Sequence, residues 1–318
     1  MNMLVRFLLV LHLAASGLLA VSPTASARPR SGVPALKVVA PNGAESILIG
    51  SLHIPMEGLR QPDASVLQGA KRLVIEGSRT LGPQPPPPKL EELFGPEALE
   101  SIKNRRPPPR AAWAKSLSDA EIDELRRNAG CVTPPMAVDV LLGLRSPMTA
   151  AVLIYAPCKE PNQLSRDEIL NRAAGSHGVP TEILETQIVA QKRRDAVPDR
   201  LHEEALRSAF GGKARQSLRT IVDALNRGDF AAVARVVDSG YRDPADAALF
   251  HKVMVQERNS AWMPTLRQYL DEGHAVVVVG AAHLPGTDGL ISLLREAGYR
   301  VKPVELPPQA AGRPHVVK

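Results

Sequence analysis

Aromatic residues are scarce in this 318-residue chain, where five Phe, two Trp and four Tyr make up only 3%. A core built here must be aliphatic, and Ala, Leu and Val are abundant enough to supply it. The same shortage argues against nucleic acid as a partner. Arginines are paired at Arg105-Arg106, Arg126-Arg127 and Arg193-Arg194 without interleaved rings on which bases would stack, and a formal net charge of +6 is mild. Solvated helix faces account for these arginines. Cysteine is limited to Cys131 and Cys158, with no Cys-x-x-Cys spacing for zinc or redox work, so the two are either a disulfide or a pair of unpaired thiols.

Several catalytic signatures are missing too. No Gly-x-Ser-x-Gly elbow occurs. His202-Glu203-Glu204-Ala205-Leu206 starts like a zinc-protease helix but has leucine where the second histidine belongs, and Gly211-Gly212-Lys213 follows no strand and precedes no Ser or Thr, so it is not a P-loop. His177 and His274 sit beside glycines and read as loop residues.

Long apolar runs are absent after the first 20 residues, the strongest later stretch, Ala275 to Val279, being only strand length. The early run belongs to an expected export signal over residues 1–27: Arg6 is its basic start, Phe7 to Ala20 its apolar stretch, and Ala25-Ser26-Ala27 its small-residue cleavage site. That stretch is shorter than the roughly 20 residues a spanning helix needs, and Ser16 and Gly17 interrupt it. The expectation is an exported protein, periplasmic or secreted, with no membrane anchor after cleavage. Loss of Arg6, the only charged side chain before Arg28, leaves a net charge of +5.

What is present is strand signal at the two ends and helical signal between them. Leu36 to Val39 and Ser46 to Leu52 read as a hairpin around Pro41-Asn42-Gly43. Asp63 can cap a short helix through Ala70, and Arg72 to Glu76 reads as a third strand. The prolines of Gly82 to Pro88 exclude helix interior and central strand. Residues 89–273 form an expected helical insertion, in which Ser118 and Glu121 make a capping box ahead of Ile122 and Leu125. Strand Ala275 to Val279, helix Asp288 to Ala297 ended by Gly298, and strand Tyr299 to Val304 follow, with residues 307–318 as a disordered tail.

The two strand-rich ends repeat each other. Ile47-Leu48-Ile49-Gly50-Ser51-Leu52-His53-Ile54-Pro55 matches Val277-Val278-Val279-Gly280-Ala281-Ala282-His283-Leu284-Pro285, and each runs into a helix and a strand ending in glutamate, Glu76 and Glu305. The predicted fold class is α/β (α+β): two strand-GxxH-helix-strand units form a pseudo-symmetric core with a mixed sheet, carrying a large helical insertion. If the two GxxH strands are neighbours, His53 and His283 converge at the carboxyl ends of strands, where α/β sheets gather ligands. Glycine three residues before each histidine permits a tight turn or the close approach of another group. Two imidazoles and a carboxylate are a workable shell for a divalent metal, which would acidify a bound water. The plainer alternatives are hydrogen-bonded structural histidines and a Glu76 paired with an arginine.

On these residues the sequence resembles the TraB/GumN family, which includes the Tiki-type membrane proteases and the pheromone-shutdown protein of conjugative plasmids. The resemblance runs from about Ser46 to Val304 and rests on Ile49-Gly50-Ser51-Leu52-His53, Arg72-Leu73-Val74-Ile75-Glu76, Leu184-Glu185-Thr186, Glu257-Arg258-Asn259-Ser260-Ala261-Trp262 and Val279-Gly280-Ala281-Ala282-His283. It implies metal-dependent peptide cleavage by analogy with the Tiki members, with Mn, Co or Zn as cofactor and a peptide or protein as substrate. By position it nominates His53, His283, Glu76 and Glu185 as metal ligands and Glu76, Arg258 and Asn259 as catalytic groups. Arg258 would orient a carboxylate or stabilise negative charge, and Asn259 would donate to an oxyanion or fix a histidine tautomer. The competing expectation is an inactive binding or envelope-assembly protein on the same scaffold.

Overall fold

The computed structural model describes residues 32–77, 81–132, 137–158 and 163–310, so the expected export signal and residues 311–318 lie outside it. Strands β1 (Val33–Val39) and β2 (Glu45–Ser51) form the expected hairpin. Its turn places Gly43 at φ +89°, and Asn42 Oδ1 accepts from Ala44 N at 2.9 Å. With β3 (Arg72–Ile75), β4 (Thr181–Ile183), β5 (Ala275–Gly280) and β6 (Arg300–Leu306) they make one mixed sheet in the order β4-β3-β5-β2-β1-β6. The four strands β4, β3, β5 and β2 run parallel, while β1 is antiparallel to both β2 and β6. Their carboxyl ends therefore share one rim.

Both faces of the parallel strands are covered. Val276 and Val278, with Ile49, Leu73 and Ile75, pack against Leu67 and Leu170; Val277 and Val279, with Leu48 and Val74, pack against Trp262, Leu266 and Phe230 on the other side. Burial on both faces is why β5 reads as an unbroken valine run rather than an alternation. Each valine removed from water contributes about 1.5–3 kcal/mol.

Between Leu90 and Glu272 the named elements of the described residues are helices, except for a strand the sequence did not signal. β4 is three residues long, too short for a period-2 pattern, yet its pairing Leu73↔Thr181 to Ile75↔Ile183 brings Leu184-Glu185 to the rim. Two other expectations need correction. Of the expected tail, the described residues 307–310 are held, with Asp63 N donating to Pro307 O and Gln309 N to Gln61 O, each at 2.8 Å, and residues 311–318 lie outside the described residues. Glu305 does not match Glu76 in space, because β6 returns beyond the β1–β2 hairpin and pairs Pro34 with Glu305 at the sheet edge, three strands from β5.

The Ser118–Glu121 capping box forms and starts the helix Asp119–Ala129, whose Ile122 and Leu125 are buried in a separate cluster with Trp113 and Leu141. Cys131, just after that helix, is disulfide-bonded to Cys158, so of the two alternatives the bridge is the one that forms. No helix of the described residues is long and apolar enough to cross a membrane.

With a sequence separation of 27, the bridge should stabilise the protein by about 3.5 kcal/mol through loop closure. Urea unfolding with and without reductant is expected to show that loss; coincident curves would count against it.

Candidate active site

Parallel pairing in the register Ser51↔Gly280 makes the two GxxH segments leave the sheet side by side. The glycines serve close approach, each for its own reason. A Cβ on Gly50 would lie 2.9 Å from the Phe230 ring and 3.1 Å from Leu284 Cδ1, so this glycine admits core packing. A Cβ on Gly280 would lie 2.8 Å from His53 Nε2, 3.1 Å from Glu76 Oε1 and 3.4 Å from His283 Cδ2, so this one admits the site. His53 itself adopts φ +61°, uncommon for a non-glycine residue, and its ring lies over Gly280.

Each imidazole is held through Nδ1. His53 Nδ1 is 3.0 Å from Asp167 Oδ1, and Asp167 is steadied in turn by the Ser51 hydroxyl. His283 Nδ1 is 2.7 Å from Asn259 Oδ1. Asn259 is fully buried and its Nδ2 donates to the carbonyls of His283 and Asp288, which leaves its oxygen to accept and so assigns the proton to His283 Nδ1. The tautomer role of Asn259 is the one the geometry selects; its amide is spent and faces no oxyanion. Both Nε2 atoms then point toward one carboxylate oxygen, Glu76 Oε1, at 3.2 Å from His53 and 3.7 Å from His283. Gly280 N also donates to that oxygen, at 2.5 Å.

Arg258 fills the other side. It stands at the start of the helix Glu257–Glu272, directly after a π-helical turn, Lys252–Gln256. Its Nη2 donates to Glu76 Oε2 at 2.7 Å, its Nη1 approaches His283 Nε2 at 3.0 Å, and its Nε donates to Glu185 Oε1 at 3.0 Å. The guanidinium lies 4.6 Å from the Trp262 ring, which also packs against His283 at 4.5 Å with the two ring planes tilted by 40°. Glu185 departs from its nominated place: Oε1 serves Arg258 and Oε2 accepts from Trp262 Nε1 at 3.2 Å, so it anchors the arginine and does not reach the imidazoles.

The sequence did not single out the segment that braces His53. Ser165 and Glu168 form a second capping box, which starts the helix Arg166–Ser176 under the rim. Asp167 in its first turn takes His53. Arg166, 1% exposed, donates to the carbonyls of Gly50 and Arg60 and so clamps both ends of the loop that carries His53. Burial pushes its pKa down to about 10, leaving it charged at neutral pH. The Ser-x-x-Glu pattern was visible, but nothing local links it to a histidine more than 100 residues away.

These contacts set the protonation states. Partial desolvation disfavours charge on His53, but Glu76 and Asp167 outweigh it and raise its pKa well above 6.5. Burial likewise opposes charge on Glu76, and His53, His283 and Arg258 overcome it, holding the carboxyl well below its usual range. His283 goes the other way: burial, with Arg258 and His53 adding to it against the pull of Glu76, pushes it down to about 4. It is therefore neutral, with a lone pair on Nε2.

Does this donor set suit a divalent ion? Among the described residues no group of three or more His, Cys, Asp or Glu side chains is arranged as a metal shell. The reason is local, since Arg258 touches two of the three donors. The residue types, two imidazoles and a carboxylate, are ones that divalent ions take as ligands. Three N or O ligands about 2.1 Å from one ion lie roughly 3.0–3.5 Å apart, close to the 3.2 and 3.7 Å found here. A neutral His53 Nε2 facing Glu76 Oε1 would set lone pair against lone pair, so a proton or a cation must lie between them.

Comparison with known proteins gives one match: the family model described as the TraB/PrgY/gumN family aligns with residues 35–303, a span that contains every residue of this site. No curated protein and no solved structure matches the chain.

The His53 shift has a sign that can be checked. Because its folded pKa is raised, the stability its charge contributes is complete below 6.5 and is lost as pH rises through the folded value. The depressed Glu76 contributes above 4.5 and loses its share as pH falls through its own folded value. The stability difference between wild type and His53→Gln, from urea unfolding at a series of pH values, should be largest between these limits and shrink on the alkaline side. A difference that does not shrink at any pH on the alkaline side of 6.5 would contradict the assignment.

Proposed function

The chain belongs to the TraB/PrgY/gumN family, and from that premise we propose that it is a metal-dependent hydrolase, most concretely a peptidase, with His53, His283 and Glu76 holding a divalent Mn, Co or Zn ion. The observation that carries the reading is the pair of imidazoles, each with Nδ1 tied to an acceptor and Nε2 turned on one carboxylate oxygen. Acceptors behind the distal nitrogen are what metal-ligating histidines use to fix tautomer and ring orientation.

When bound, the ion would supply an acidified water and polarise a carbonyl. The chain's own residues do the rest. Asp167 and Asn259 keep the two Nδ1 protons. Glu76, held well below the usual carboxylate range, is a stable anion and a weak base, which suits a ligand better than a proton acceptor. Arg258, gripped by Glu185 and stacked on Trp262, is the cation placed to meet negative charge developing on a substrate oxygen. Solvent and substrate reach the site past His53, whose side chain is 44% exposed against 6% for His283. The Cys131–Cys158 bridge supports placing this chemistry outside the cytoplasm, in the cell envelope.

One observation favours the rival reading of an inactive binding protein on this scaffold. Arg258 already satisfies Glu76 and His283, so the hydrogen-bonding groups of the site have partners without a metal.

Thermal unfolding separates the two. Mn, Co or Zn should raise the Tm of wild type, and His53→Ala or His283→Ala should abolish the shift. The affinity should climb with pH as His53 gives up its proton. Absence of a shift with all three metals would leave the binding-protein reading in place.

A further inference from the structure

Beside the site lies a cavity of about 350 Å³, lined mainly by aliphatic and aromatic side chains. Its position is set by the site's own segments. Leu52 and Ile54, which flank His53, form part of its wall, and so does Met254, whose carbonyl accepts from Arg258 Nη1 at 3.3 Å. On the other side the wall comes from the helices Met148–Leu153, Asp199–Ala209 and Lys213–Arg227 of the insertion. Val152 belongs to that wall and is 66% exposed, more than any other large apolar side chain of the described residues. An apolar surface thus runs from solvent to the edge of the site.

The wall also holds one polar atom with no protein partner. His202 Nε2 is buried and makes no hydrogen bond, while burial lowers the ring's pKa and keeps it neutral. A buried polar group without a partner is unfavourable, because the hydrogen bonds it gave up to water are not replaced. A ligand that brings a donor would supply one. The volume stands at the small end of the about 300–1,000 Å³ spanned by small-molecule sites, which suits one or two side chains.

We propose that this cavity is the specificity pocket of the site and takes a large apolar side chain of a peptide substrate next to the bond that is cut, with an adjoining N–H donated to His202. The assignment rests on the hydrolase reading above. A fatty-acyl chain would fit the apolar wall but has no donor for the histidine.

The test uses the purified protein with Mn²⁺ and four fluorogenic peptides that differ at one position, Leu, Phe, Ser or Lys. The Leu and Phe peptides should show kcat/KM at least about 10-fold above the other two. Ala205→Phe, which fills the cavity, and Val152→Asp, which charges its exposed mouth, should each remove most of that preference by lowering kcat/KM for the Leu and Phe peptides toward that of the Ser peptide. Equal cleavage of all four peptides would overturn the pocket and leave the hydrolase reading standing. If no peptide is cleaved, the hydrolase reading fails and the pocket is judged by fluorescence anisotropy of a labelled Leu peptide. Binding weakened in both variants then supports the pocket, and equal or absent binding overturns it. Displacement of that peptide by octanoate at a comparable concentration would also overturn it, in favour of an acyl chain.

Discussion

Pairing of β2 with β5, from Ile47↔Val276 to Ser51↔Gly280, is the constraint on which the rest depends. Were the register to slip by one residue, Leu48 and Ile49 would exchange faces and the two cores would lose their packing together. The same slip would carry Gly50 away from Phe230 and Gly280 away from His53. Packing on both faces of the sheet therefore holds the two histidines in place. β3 and β4 extend the parallel arrangement, so Glu76 and Glu185 arrive at the same rim as the imidazoles.

At that rim the charges form a closed set. His53 stands between Asp167 and Glu76, and Arg258 between Glu76, Glu185 and His283. Buried charges are tolerated only when paired and hydrogen-bonded, so the set is over-determined, and its members keep protonation states that they would not hold in water. The positive φ of His53 is stored in the same way: Arg166 grips the carbonyls on either side of the loop and leaves the histidine no relaxed alternative.

How much of this was legible in the sequence depended on whether the signal was local. The GxxH strands and Glu76 were readable because each ends a strand whose pattern dictates its direction, whereas Arg258 and Asn259 were nominated only by the resemblance to the family. Asp167 and Arg166 were not readable, since a capping box announces a helix start and says nothing about what that start will face. β4 was too short to show a period, and the echo that promoted Glu305 stopped at β6, whose place in the sheet is decided by the hairpin it must pass. Glu185 reached the rim as expected but with its partner changed. Its motif fixed its position, whereas its contacts were set by Trp262 and Arg258 arriving from a helix more than 70 residues on.

The central claim, that two imidazoles and Glu76 form the seat of a divalent ion, is tested most directly by an anomalous difference map from crystals soaked in Mn²⁺ at neutral pH. A single strong peak is expected about 2.0–2.3 Å from His53 Nε2, His283 Nε2 and a Glu76 oxygen, with Arg258 drawn off His283. A map without that peak, with Arg258 still bonded to both Glu76 and His283, would contradict it.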